Sequence, residues 1–353
     1  MAYAGLDSVE LRVNVLHELA AVVPMEGAFF PTADPATLLY TSAVRVDMPN
    51  GVTPQFLDNE FRQMDVNKFR SLAAAPTPVA TLDAATAGDR SSSARWREIM
   101  DPIGLGDELR IVFRAGSSTW GFACLHRART GPSFSDDDLA LVEAIAPHVG
   151  EALRRSVMAE RAVRDAAADG PGVVMLAPDL TVVASTAAGE RWLDELAATE
   201  QPRPRGLPVA VLAVVQALDD LARTDRAPRL AVRAASGRWL VLHASHMTSG
   251  DRSQLAVVIE PASRAELEPI VATGYQLTAR EADILALVLR GLPTKAIAAS
   301  LRISAHTVND HIKAIFAKTG VASRGELMAT VFRDYQTGAT GRAQNRPGRA
   351  YDG

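Results

Sequence analysis

The feature that most constrains the fold is the segment Leu277–Phe332, which contains four short amphipathic patterns with helical spacing. Each pattern has its own start or stop signal. Thr278 and Glu281 have the spacing of a capping box at the start of the first pattern, and Ser323 and Glu326 repeat that spacing before the fourth. The segment therefore predicts four short helices separated by tight connections.

The second and third of these helices are predicted to form a helix-turn-helix. Pro293 suits the first position of the second helix. Residues 302–304 form a tight connection, and Ser304 is a natural N-cap for the third helix. The third helix carries one apolar stripe, formed by Val308, Ile312, Ile315 and Phe316. Two helices joined by a three-residue turn are typical of this motif.

The whole segment resembles the DNA-binding domain of the LuxR/NarL/FixJ (GerE-type) regulators. The resemblance rests on Leu277-Thr278, Arg280-Glu281, Gly291, Ile297-Ala298, Leu301, Ser304, Thr307-Val308, His311, Ile315, Lys318, Gly320-Val321 and Arg324. It implies an all-α, four-helix DNA-binding domain, double-stranded DNA and a second copy of the chain as partners, and RNA polymerase as a further candidate partner. The alternative is a small helical bundle that caps another protein, but such a bundle does not require these helix starts and stops.

The resemblance also implies which residues contact DNA. By position, Asn309, Asp310 and Lys313 face base edges in the major groove. Asn can pair with adenine, Asp can accept from cytosine, and Lys can donate to guanine. For Asp310, an equal alternative is an acidic residue that the helix dipole favours in the first turn.

Two further sets of residues follow from the resemblance. The candidates for phosphate contacts are Lys295, Arg302, Thr307 and Lys318. The fourth helix is the dimerisation element of the family, which assigns dimerisation to Leu327, Met328 and Val331. Filling of the domain's own core explains these three apolar residues equally well.

The charge is divided unevenly along the chain. The net charge is −4, but residues 275–335 hold 8 Lys/Arg and 5 Asp/Glu, a net charge of +3. The tail 336–353 adds +2, so residues 1–274 carry −9. This division predicts that DNA binding is confined to the C-terminal domain, because non-specific affinity comes from neutralising phosphates. The tail lacks periodicity and apolar residues, so it is expected to be disordered.

Several function classes are not supported by the sequence. The single cysteine, Cys124, excludes an internal disulfide and rules out a thiolate zinc site, so no metal or cofactor is expected. No phosphate-binding loop or other enzyme signature is present, and the phospho-acceptor pattern of a receiver domain is not recognisable. The lack of an enzyme signature predicts that the protein is not an enzyme. The N-terminus has no signal peptide pattern, which predicts a cytoplasmic protein.

Residues 1–168 follow the order helix, strand pair, variable middle, strand pair and long helix, which resembles an α+β GAF domain. The predicted elements are a helix at 6–23, strands at 27–30 and 38–44, a polar helix at 54–72, a mobile loop at 74–93, a short helix at 96–100, strands at 108–114 and 119–127, and a helix continuing to about 168. A GAF-like fold leaves a pocket beside its sheet. The candidate ligand pocket is lined by Phe29, Tyr40, Trp96, Phe113, Trp120 and Phe122, although these could equally be ordinary core aromatics.

Residues 170–260 follow the order two strands, helices and three strands, which resembles an α+β PAS domain. The predicted elements are strands at 173–176 and 181–184, helices at 187–196 and 208–223, and strands at 229–233, 239–245 and 254–259. A short helical linker, 261–274, precedes the DNA-binding domain at 275–335. The prediction is a multidomain regulator that binds DNA as a dimer under sensory control; the alternative is a signal- or partner-binding protein whose DNA-binding domain is secondary.

Overall fold

The computed structural model describes residues 6–49, 51–159, 170–218, 229–249 and 252–332. The N-terminal part contains one five-stranded antiparallel sheet with the strand order β2-β1-β5-β4-β3. Its helices and strands are α1 (Ser8–Val22), β1 (Gly27–Ala33), β2 (Tyr40–Val46), α2 (Thr53–Phe61), α3 (Phe69–Ala74), β3 (Val79–Thr81), α4 (Leu82–Ala85), β4 (Leu105–Ala115), β5 (Ser118–Ala128) and α5 (Asp136–Ala159). The predicted order of helix, strand pair, variable middle, strand pair and long helix is confirmed.

The sheet is buried on both faces. Helices α1 and α5 cover one face and form a core that includes Leu16, Phe30, Phe113 and Leu153. The other face carries Tyr40, Phe122 and Cys124 and belongs to a second core. Successive strand residues point to opposite faces, so each long strand contributes apolar side chains to both cores.

Two predictions for this part were wrong. The stretch 54–72 is not one helix, because Asn67 has a positive φ of 56° and separates α2 from α3. The stretch 74–93 is not an unstructured loop, since it contains β3, α4 and a 3₁₀ turn. Polar side chains fix it: Arg90 Nε donates to Asp83 Oδ1 at 2.6 Å, and Asp83 N donates to Asp107 Oδ1 at 3.0 Å. The predicted short helix at Trp96–Met100 is present as a π-helical turn.

A second five-stranded antiparallel sheet follows, with the strand order β7-β6-β10-β9-β8. When each sheet's strands are counted in chain order, the two sheets have the same arrangement, 2-1-5-4-3. The elements are β6 (Gly172–Leu176), β7 (Val182–Ser185), α6 (Ala187–Ala197), α7 (Val209–Gln216), β8 (Arg229–Arg233), β9 (Trp239–Ser249) and β10 (Arg252–Pro261). The predicted order of two strands, helices and three strands is confirmed.

Helix α7 lies between the two sheets and joins their cores. All eight of its residues are buried, which agrees with a helix that is apolar on every side. It packs against α2 and β2 of the first part and against β8, β9 and β10 of the second. The chain before it also docks on β2: Arg45 N donates to Gln201 O at 2.7 Å, and Gln201 N donates to Ala43 O at 3.1 Å. The two predicted sensory domains therefore share a hydrophobic core.

The predicted linker is a helix, α8 (Arg264–Gly274), which starts with a capping box formed by Ser263 and Glu266. One side of α8 packs on the second sheet through Leu267 and Ile270. Val271 belongs instead to the core of the C-terminal helices. Those helices are α9 (Ala279–Leu289), α10 (Thr294–Leu301), α11 (Ala305–Thr319) and α12 (Arg324–Phe332).

The predicted helix boundaries in this C-terminal part are largely confirmed. Thr278 and Glu281 form the predicted capping box of α9. Pro293 is the N-cap of α10 and not its first residue. Only half of the second predicted capping box is formed. Ser323 Oγ accepts from Glu326 N at 3.1 Å, but the Glu326 carboxylate accepts from the backbone N–H of Ala322 and not from that of Ser323.

Some predictions fall on residues outside the described ranges. These are the end of the long helix, 160–168, the end of the second PAS-like helix, 219–223, and the tail, 336–353. Among the described helices, none is both long and apolar enough to cross a membrane.

Candidate functional site

Helix α11 is held in the C-terminal core by its apolar stripe. Val308, Ile312 and Ile315 are buried against the neighbouring helices. At its start, Ser304 Oγ accepts from Thr307 N at 3.0 Å, which satisfies one of the free N–H groups of the first turn. At its end, Gly320 takes a left-handed conformation with φ of 70°. These local interactions fix the direction in which the polar side of α11 points.

The predicted base-contacting residues form an exposed edge along α11. Asn309, Asp310 and Lys313 are all exposed. The Asp310 carboxylate lies between two basic side chains, 3.5 Å from His306 Nε2 and 3.8 Å from Lys313 Nζ. In the free protein, Asp310 therefore has partners on its own helix, which any contact with cytosine would have to replace.

All four phosphate candidates are exposed residues, and three of them lie in the first turn of α11 or before it. Lys295, Arg302 and Thr307 are exposed, and Arg302 adopts a left-handed conformation with φ of 53° in the turn between α10 and α11. The fourth candidate, Lys318, is placed differently. Its Nζ lies 2.6 Å from Glu281 Oε2 and 3.1 Å from the carbonyl oxygen of Gln276. The structure thus gives the Lys318 ammonium a role in packing α11 against α9.

Two of the three residues assigned to dimerisation lie in the core of their own domain. Leu327 and Val331 are only 1% and 5% exposed, on the side of α12 that faces α8. This packing agrees with the alternative that they fill the domain's own core, and their role in dimerisation stays a prediction. Met328 is half-buried against the same core.

The six aromatic residues predicted to line one pocket lie in three places. Phe29, Tyr40 and Phe122 cluster on one face of the first sheet. Phe113 and Trp120 belong to the core beneath α1 and α5. Trp96 packs with a small satellite cluster around Met100. A single pocket lined by all six is therefore not formed, because side chains of one strand pair are shared between opposite faces of the sheet.

A buried network of charges, which the sequence analysis missed, lies beside Tyr40 and Phe122. Arg110 Nη1 lies 2.6 Å from Glu60 Oε2, and Arg110 Nε lies 3.0 Å from Glu108 Oε2. Arg95 Nη2 lies 2.8 Å from that same Glu108 oxygen. Burial alone would raise the pKa of Glu108, but the two arginines outweigh it and lower this pKa to about 2. The available signal was the group of charges Asp107, Glu108 and Arg110 at the start of a strand that ends in an apolar run.

Similarity to known proteins agrees with the geometry of the C-terminal domain. The sequence pattern described as "Bacterial regulatory proteins, luxR family" matches residues 275–331. The Monoamine regulon transcriptional regulator of Klebsiella aerogenes is 47% identical over 53 residues, which is 15% of this chain and 23% of that protein. Among solved structures, a GAF domain/HD domain protein from Geobacter sulfurreducens gives a TM-score of 0.31 at 17% identity, covering 43% of this chain and 95% of that one.

One relative matches well beyond the helix-turn-helix. The Nitrate/nitrite response regulator protein NarL of Escherichia coli (strain K12) is 30% identical over 190 residues, which is 46% of this chain and 88% of NarL. With the family pattern on residues 275–331, this similarity shows that the chain belongs to the LuxR family of bacterial regulatory proteins.

Proposed function

We propose that this transcriptional regulator reads operator DNA with the exposed edge of α11 in the major groove. The observation that carries the proposal is the position of Asn309, Asp310 and Lys313, which are exposed on a helix whose opposite side is fixed in a core. Their donor and acceptor groups suit the edges of adenine, cytosine and guanine, respectively. The net charge of +3 on residues 275–335 favours approach to phosphates by this domain rather than by the acidic remainder.

Phosphate contacts in this proposal come from around the start of α11. Lys295, Arg302 and Thr307 lie on α10, in the turn and in the first turn of α11, so they can set the register of the helix on the duplex. Such contacts add affinity for every sequence. The base edge then adds the difference between the operator and other sequences.

The regulator would bind as a dimer, with two copies of α11 in successive turns of the major groove. In the helix-turn-helix geometry, this places the two half-sites about one helical turn apart, roughly 34–36 Å. Leu327 and Val331 are used inside the domain, so they are not part of this proposal. Contact with RNA polymerase remains a prediction from the family resemblance.

The N-terminal part would be the sensory part, composed of a GAF-like and a PAS-like unit. Supporting this, both units have the predicted order of elements, and α8 packs on the second sheet with Leu267 and in the DNA-binding core with Val271. A change in the second sheet would therefore reach the DNA-binding domain through one helix. A signal can act this way only if it binds two arrangements of the protein with different affinities. A protein that binds DNA would act in the cytoplasm.

Two alanine variants test the assignment of bases and phosphates. Lys313→Ala should lower affinity for the operator more than affinity for random DNA, whereas Lys295→Ala should weaken both alike. Fluorescence anisotropy on labelled operator and scrambled duplexes, after genome-wide mapping of bound sites has defined the operator, measures both. Equal losses on the two duplexes for Lys313→Ala would contradict base reading by α11. A wild-type protein that retards no genomic fragment at low salt would favour the alternative, a sensing or partner-binding protein.

A further inference from the structure

Three side chains with metal-binding donor atoms lie together on one face of the first sheet. Glu108 of β4 and His126 of β5 are directly paired across the strands. Cys124 lies two residues before His126 on β5, on the same face of the sheet. Directly paired residues have their Cβ atoms about 4.5–5.5 Å apart, so this register forces the side chains together. One donor atom from each of the three lies within 4.8 Å of the other two, and all three residues are buried.

Two polar side-chain atoms of this group have no hydrogen-bond partner among the described residues. His126 is 1% exposed, and its Nδ1 has no hydrogen-bond partner among the described residues. The same is true of Glu108 Oε1, on a residue that is also 1% exposed, whereas Glu108 Oε2 is used by the arginines. Leaving a buried polar atom unpaired costs about 1–3 kcal/mol. Two such atoms beside the Cys124 thiol therefore favour an ion or a water molecule at this place.

The space beside these residues is small. A cavity of about 20 Å³ is bordered by Cys124 and His126 but not by Glu108, and the charged residues Arg45, Glu60 and Arg110 also line it. About 10–15 Å³ is enough for one water molecule. The cavity therefore suits a single ion or a water molecule, and it is too small for an organic ligand of several heavy atoms.

We propose that Glu108, Cys124 and His126 bind one divalent transition-metal ion of borderline softness, such as Zn²⁺. One thiolate, one imidazole and one carboxylate are the ligand types that Zn²⁺ takes, with bonds of about 2.0–2.3 Å. In the tetrahedral geometry of zinc sites these bond lengths place the donor atoms roughly 3.3–3.8 Å apart. The three donor atoms lie within 4.8 Å of one another, so side-chain shifts of up to about 1.5 Å complete the site. The Cys124 thiol loses its proton to solvent as the metal–sulfur bond forms. Three protein ligands leave a fourth position for water.

The surrounding charges set a limit on the affinity. Arg95 and Arg110 lie against Glu108 and repel a cation. Glu60, 2.6 Å from Arg110, and Asp65, 3.9 Å from Arg95, offset that repulsion. This proposal departs from the prediction, made from the single cysteine, that the protein binds no metal. One cysteine is enough when a buried histidine and carboxylate share the same sheet face.

Cobalt titration of the full-length, tag-free protein tests the proposal. Co²⁺ should bind with a stoichiometry of one and produce a thiolate-to-cobalt charge-transfer band, because Cys124 is the only cysteine in the chain. Cys124→Ala should abolish the band, and His126→Gln should weaken or abolish binding. The matched control is His148→Gln, which removes an exposed histidine on α5 and should leave the band unchanged.

A measurement on the wild type covers the case in which a variant fails to fold. X-ray absorption at the zinc edge of the Zn²⁺-loaded protein should show one sulfur neighbour at about 2.3 Å, with nitrogen or oxygen neighbours at about 2.0–2.2 Å. A first shell of nitrogen and oxygen alone would overturn the proposal. So would a cobalt spectrum without the charge-transfer band, or the same band in Cys124→Ala.

Discussion

Replacing Lys318 by alanine separates a contact with DNA from a contact inside the DNA-binding domain. The family resemblance assigns this residue to a phosphate, but its Nζ lies 2.6 Å from Glu281 Oε2. The Glu281 side chain is 7% exposed and that of Lys318 is 35% exposed. Burial opposes ionisation of Glu281, yet the Lys318 hydrogen bond and the capping contacts lower the pKa of this carboxyl. The lowered pKa favours the charged Glu281 carboxylate, and its contact with Lys318 holds α11 against α9.

The expected magnitude follows from these exposures. A partly exposed ion pair contributes about 0.2–1 kcal/mol, and leaving the nearly buried Glu281 without its ammonium adds a penalty of about 1 kcal/mol. We expect Lys318→Ala to lower the free energy of unfolding by about 1–2 kcal/mol. The logarithmic dependence of DNA affinity on salt should keep its slope, since no phosphate contact is lost. Lys295→Ala should do the reverse, lowering the slope by about 0.9 for each bound copy of the chain, with unchanged unfolding.

Urea unfolding and fluorescence anisotropy at a series of salt concentrations measure the two quantities. A double-mutant cycle with Glu281→Gln, which retains an oxygen to accept from Thr278 N, isolates the ion pair. The cycle should give an interaction energy of at least about 0.5 kcal/mol. The reasoning is refuted if Lys318→Ala lowers the salt slope by about 0.9 while unfolding stays as in the wild type. In that case the contact with Glu281 breaks on DNA and the phosphate assignment is correct.

Three other changes have expected outcomes. Asp310→Asn frees His306 and Lys313 from the carboxylate; it should raise affinity for random DNA, and selection experiments should show altered preference at one base pair if Asp310 reads cytosine. Leu267→Ala, which removes a residue 3% exposed between α8 and the second sheet, should cost about 2–4 kcal/mol of unfolding free energy in urea titrations. Burial raises the pKa of Glu200 from 4.5 to about 7, although Arg45 lies 3.3 Å away. The pKa of Glu200 is higher in the folded than in the unfolded state, so its contribution to stability is complete below about pH 4.5 and is lost as the pH rises through about 7. Glu200→Gln should therefore reduce the dependence of the unfolding free energy on pH in that range. The same pH dependence in the variant and the wild type would contradict this.

The parts of the fold that the sequence predicts correctly depend on nearby residues. The capping box of Thr278 and Glu281 spans three residues, and the Ser304 cap and the Gly320 stop act within one helical turn. Such signals are visible in the sequence because both partners lie in the same short window. This is why the boundaries of the DNA-binding helices were predicted closely.

The features that were missed depend on residues that are distant in the sequence. Lys318 meets Glu281 across 37 positions, and Arg110 meets Glu60 across 50. The sequence shows that residues 209–216 are apolar on every side, which predicts burial, but it does not show that two sheets supply the surroundings. The stretch 74–93 has the composition of a loop, and its order comes from side-chain contacts with β4 and with Ser133.

The position of α11 constrains how the N-terminal part can control DNA binding. Asn309, Asp310 and Lys313 are exposed while the domain is packed on α8, so their access to DNA does not require release of a covering segment among the described residues. Within the described ranges, the packing supports control by orientation, because Leu267 and Val271 belong to one helix that packs on the second sheet and in the DNA-binding core. A shift of that helix would change the distance between the two copies of α11 in a dimer. The two half-sites of an operator lie about one helical turn apart, so this distance determines which half-site spacing the dimer fits. Leu267→Ala should therefore alter the preferred half-site spacing more than the affinity for a single half-site.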